Sequence, residues 1–129
     1  MPPVCHEFFQ YTSFTEQTKY FKKLSPENKI EIYFCHASYG HLIRADLLAQ
    51  EGKAIVPYLF QAVKKRPEMS YAIRDVFLVM EKESYYDLSK IREEQVFDLE
   101  VFSKTLTDYD KQRSIRALTI FLRSKMSQS

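Results

Sequence analysis

Residues 41–66, HLIRADLLAQEGKAIVPYLFQAVKKR, constrain the fold of this chain more than any other stretch. Leu42, Ala45, Leu48 and Ala49 recur at helical spacing before Gly52. Ile55, Val56, Leu59, Phe60 and Val63 do so after it. Gly52 suits the position just past a helix end, where a left-handed backbone carries no side-chain penalty. Pro57 falls in the first turn of the second helix, where a missing N–H costs little. The stretch therefore predicts two helices meeting at a glycine, with two apolar faces and a basic end, Lys64-Lys65-Arg66.

Within it, Leu47-Leu48-Ala49, Gly52, Ile55-Val56-Pro57, Leu59 and Val63-Lys64 follow a recognisable order. In that order the segment resembles a HEAT or armadillo-type repeat. The resemblance implies helix pairs stacked into a small solenoid, a fold whose members usually bind other macromolecules. It implies no catalytic residue.

A chain of 129 residues suits one domain with a single core. Its 45% apolar content places the body outside the disordered class. Only 2 glycines and few β-branched runs favour helices with tight links over a β-rich fold. Trp is absent while Phe and Tyr are abundant, so Phe is expected to fill the core and Tyr to line its margins with hydroxyls reaching water. A net charge of +2 with interspersed signs does not favour nucleic acid, whose binders show a basic stripe. No run approaches the roughly 18 apolar residues of a membrane span, and no signal-peptide core is visible. The body reads as soluble, and the residues leave open a cytoplasmic chain or one exported to the envelope after losing a leader.

In chain order, residues 1–13 carry two early prolines and read as an extended lead-in pinned by Phe8, Phe9 and Tyr11. Thr15 caps a short helix to about Leu24. Ser25-Pro26-Glu27 is a helix start with serine as N-cap, proline next and an acid against the positive dipole end. That helix runs to about Ala37, burying Ile30, Tyr33, Phe34 and Cys35, and stops at Gly40. After the hairpin, Arg66-Pro67 breaks the chain, and a helix over 68–83 buries Ile73, Val76, Phe77 and Met80 in the middle of the stack. Ser84-Tyr85-Tyr86-Asp87 is a turn, residues 91–106 a sixth helix, and Thr107-Asp108 caps a last one to about Ser124. Domain organisation is thus a lead-in over 1–13, one helical domain over 14–125 and a disordered tail over 126–129.

Chemistry-bearing residues are sparse. Cys35, His36 and His41, with His6, lack the converging third ligand a metal site needs, and Cys35 and His36 diverge on a helix. Cys5 and Cys35 are able either to pair in an oxidising compartment or to remain thiols, and Cys35 reads as a small core residue. The carboxylate pairs Glu81/Glu83, Glu93/Glu94 and Asp108/Asp110 sit at helix ends, where they cap and solubilise. With two glycines no phosphate-cradling loop exists. A basic rim of Lys22-Lys23 with Lys64-Lys65-Arg66 reads as solvated helix ends. The tyrosine-rich turn offers a contact surface, since exposed Tyr is enriched at binding hot spots, against the plainer reading that Tyr86 packs on the core and Asp87 caps the turn. Arg74 and Arg92 are expected beside it, which makes Arg74, Tyr85, Tyr86, Asp87 and Arg92 the candidate partner-binding set.

These residues point to an all-α fold, a short HEAT-like stack of six to seven helices in antiparallel pairs. The expected function is a protein–protein interaction module, a scaffold or adaptor without catalytic activity, metal or cofactor. The alternative is a small bacterial immunity or inhibitor-type protein that binds one enzyme. A small hydrolase or metal-binding protein is the third reading. Phe121 and Leu122 on the last helix offer a homodimer contact.

Overall fold

A computed structural model describes residues 2–38 and 45–127, and the protein is all-helical over them. Eight α-helices follow one another: α1 (Pro3–Gln10), α2 (Phe14–Lys22), α3 (Pro26–Ser38), α4 (Ala45–Ala49), α5 (Val56–Lys65), α6 (Ser70–Lys82), α7 (Glu93–Thr105) and α8 (Tyr109–Met126). Single 3₁₀ turns at Gly52–Ile55, Pro67–Met69 and Leu88–Lys90 link the later ones. The expected stop at Gly40, and Leu42 and His41 at the start of the hairpin, lie outside the described residues.

The lead-in is a correction. Residues 3–10 are helical rather than extended, with Pro3 at the first helical position. Proline there loses no needed N–H, and its fixed φ suits a helix start. Cys5 and Phe8 are fully buried, so the lead-in belongs to the core. Met126 ends α8 rather than opening a tail.

Caps explain most boundaries. Ser13, not Thr15, starts α2 by accepting from the Glu16 amide at 3.1 Å. Ser25 accepts from Asn28 N–H at 3.3 Å ahead of Pro26, and Asp108 accepts from Lys111 N–H at 3.1 Å to start α8. Each satisfies an amide that a helix leaves unpaired at its first turn.

Helix α6 carries the centre of the core. Ala72, Ile73, Val76, Phe77 and Met80 are all fully buried along one face, packed chiefly against α4 and α8. Its opposite side is open, with Tyr71 and Leu78 half exposed. Helices α7 and α8 form the most extensively packed pair. Tyr33 is buried, as its place on the apolar side of the third helix predicts, and is an exception to the general expectation of tyrosines at the margin. Its ring is fully buried, and its hydroxyl donates to the Ala72 carbonyl. Burial, reinforced by Asp75, pushes that phenol's pKa well up, so it stays a neutral donor.

Cysteine pairing is settled by the same packing. Cys5 on α1 and Cys35 on α3 form a disulfide. Cys35 is buried as expected, but as half of a crosslink and not as a thiol.

Candidate partner-binding groove

The turn that follows α6 is built by the helix's own C-terminus. Ser84 adopts φ 59°. Its N–H donates to the Glu81 carbonyl at 3.3 Å, while Tyr85 N–H reaches back to Met80 at 2.9 Å. This pair of bonds is the Schellman closure, with serine in the left-handed position that glycine usually takes. It throws Tyr85 outward, 40% exposed, and leads Tyr86 back toward the core, half-buried.

The turn rests on the other loop glycine. Gly52 has φ +60°, and a Cβ there would stand 3.0 Å from the Tyr85 carbonyl oxygen. Gly52 thus does two things: it ends the first arm of the 41–66 stretch, and it lets the two loops touch.

Between these loops lies a groove of about 730 Å³. Lys53, Val56 and Pro57 form one wall. Tyr85, Tyr86, Asp87, Lys90 and Arg92 line the other. Four members of the expected set therefore share one concavity. Arg74 does not join them, which corrects its expected place. It sits mid-way along α6, roughly 15 Å up the helix from the turn at 1.5 Å per residue, and lines a different groove against α8.

The electrostatics of the groove are lopsided. Asp87 is occupied locally, accepting from the Ser89 hydroxyl at 2.8 Å and the Ser89 amide at 3.0 Å. Those bonds, with Lys90 nearby, hold its carboxyl below the usual range. Burial, with the Asp87 charge adding to it, raises the Tyr86 phenol. Lys53, Lys90 and Arg92 have no carboxylate within 4 Å among the described residues. Lys29, Lys64, Arg66, Arg123 and Lys125, by contrast, each form an ion pair.

Several other expected features are absorbed into the framework. Lys64 pairs with Asp98, and Arg66 lies over the Phe34 ring while reaching Glu68 at 3.4 Å, so that half of the basic rim is internally engaged. Glu81 binds Lys125 at 2.9 Å. His36 is buried, with Nδ1 3.1 Å from the Ile32 carbonyl and its ring against Phe8 and Phe9. Among the described residues, no three His, Cys, Asp or Glu side chains are placed to hold a metal ion. Leu122 is fully buried in the monomer's own core and Phe121 packs at its edge. No described helix is long and apolar enough to cross a membrane. The contribution of Lys53 was not legible beforehand, because only the contact between the two loops brings it to the turn.

No family model matches the chain, and no curated protein or solved structure is significantly similar to it.

Proposed function

We propose that this protein is an interaction module that binds an acidic segment of a partner protein in the groove between Gly52–Pro57 and Ser84–Arg92. The observation that carries the reading is the meeting of an exposed tyrosine, Tyr85, with three cations, Lys53, Lys90 and Arg92, against one carboxylate, Asp87, in one concavity. Tyr supplies rigid, half-apolar contact area, and an excess of cations over carboxylates favours Asp- and Glu-bearing ligands by electrostatic complementarity. Reading the groove as non-catalytic is supported by its titratable groups. Asp87 is held ionised by Ser89, and Tyr86 is moved further from neutrality, so neither is poised for proton transfer near pH 7. The likeness of residues 41–66 to a HEAT-type repeat fits the same role. The Cys5–Cys35 disulfide favours an oxidising compartment, and hence the exported alternative over the cytoplasmic one.

Selection of a random peptide display library on the immobilised protein tests this. Enrichment of Asp- and Glu-rich peptides is expected, with affinity falling at least about tenfold in Tyr85→Ala and further in Arg92→Glu. Basic or charge-neutral winners, or winners indifferent to both substitutions, rule the groove out.

A further inference from the structure

A second, separate groove lies between α6 and α8, about 360 Å³ in volume. It is lined by Tyr71 and Arg74 from α6 and by Asp110, Arg113 and Ser114 from α8. From these residues we infer a binding site for a phosphate group, either the free ion or a small phosphomonoester.

Two arginines line one concavity from two helices. Among the described residues neither Arg74 nor Arg113 has a carboxylate within 4 Å, although Asp110 lines the same groove. Arginine's planar fork matches tetrahedral oxyanions through paired N–H donors, and its weaker hydration makes it the better phosphate ligand in a partly enclosed site. Ser114 adds a hydroxyl. The hydroxyls of Ser103, Thr119 and Ser124 on α7 and α8 fold back on the carbonyl three residues earlier. Ser114, half-buried on the groove wall, makes no such bond among the described residues. The half-exposed Tyr71 ring forms an apolar wall beside these donors, which fits an organic group carried on the phosphate.

Asp110 sets the strength. It sits in the first turn of α8, where an acid is stabilised by the helix dipole. From the groove wall its negative charge opposes an anionic ligand, and its removal is expected to tighten the site.

Titration of the intact protein with inorganic phosphate and, separately, with phenyl phosphate tests this, followed through the Arg Nε–H NMR signals. Saturable shifts of the Arg74 and Arg113 signals at ~1 mM or below are expected. Arg74→Ala and Arg113→Ala should each weaken binding at least tenfold, Arg74→Lys less, and Asp110→Asn should strengthen it severalfold. Tighter binding of phenyl phosphate identifies a monoester site, and equal binding identifies the free ion as ligand. Absence of saturation by about 20 mM overturns the site. So does binding that survives Arg113→Ala, or that Asp110→Asn fails to strengthen in a variant of unchanged melting temperature.

Discussion

The two ends of this molecule solve one problem by different chemistry. Helices α1 and α2 have 8 and 9 residues, shorter than the roughly 12–15 that sustain an isolated helix even in favourable sequences. They are held by a covalent bond and by rings. The disulfide ties α1 to α3, and Phe8 packs edge-on against Phe9 and His36 at 5.7 and 5.3 Å. Helices α7 and α8 have 13 and 18 residues. They are joined by buried Val96, Leu99, Ile115, Leu118 and Leu122 and by charge at the rim. There Arg123 reaches Glu93 at 2.9 Å and Glu100 at 2.6 Å. A redox change should therefore act on one end, and a pH or salt change on the other.

Breaking the disulfide is the sharpest way to separate the two. In the loop-entropy treatment a crosslink over 30 residues stabilises by about 3–4 kcal/mol. Cys5→Ala with Cys35→Ala should lower stability by that order in urea denaturation, and a thiol reductant should reproduce the loss in the native protein. Hydrogen exchange should then rise first in α1 and α2 and little in α7 and α8. Uniform loosening of both ends would mean that they are not separate in energy.

What was legible beforehand follows the same division. Ser25-Pro26-Glu27 and Asp108 announce their helices because a cap acts within three residues of itself. Gly52 was legible for the same reason, since a left-handed link needs no distant partner. The 730 Å³ groove was legible in part, because Tyr85 to Arg92 is one continuous stretch. Three features depend on approach in space and were not: the Cys5–Cys35 bond, the Ala72 carbonyl as partner of the Tyr33 hydroxyl, and the separation of Arg74 from the turn. Helix α1 is the instructive miss. Cys5, Phe8 and Phe9 stand at i, i+3 and i+4, a helical signal outweighed by two prolines that in fact sit at its start.

Between the ends, Gly52 is the joint on which the groove depends, and Gly52→Ala should cost less than the disulfide but more than any rim charge. A non-glycine residue at φ +60° costs about 1–2 kcal/mol. The added Cβ would also press on a backbone oxygen at 3.0 Å, which no side-chain rotation relieves. A loss of roughly 2–3 kcal/mol is expected, together with weaker binding of acidic peptides as Tyr85 is displaced. A variant as stable as the native protein would show that the two loops do not rest on each other.

The smallest effect belongs to Arg123, and its signature is its pH dependence. Hydrogen bonds from Arg123 hold the Glu100 and Glu93 carboxyls below their ordinary value of 4.5. A carboxyl whose folded pKa is depressed stabilises the fold above its unfolded pKa, and that contribution fades as pH falls through the folded value. The melting temperature of Arg123→Ala should therefore lie below that of the native protein at pH 7 by a few degrees at most. That gap should close between pH 4.5 and strongly acid solution. Because Arg123 and Glu93 are solvent-accessible, high salt should narrow it too. The disulfide's contribution should be indifferent to both. A gap that stays constant with pH and salt would place the role of Arg123 in packing of its aliphatic stem instead of its charge, and the contrast between a covalent end and an electrostatic end would fail at that point.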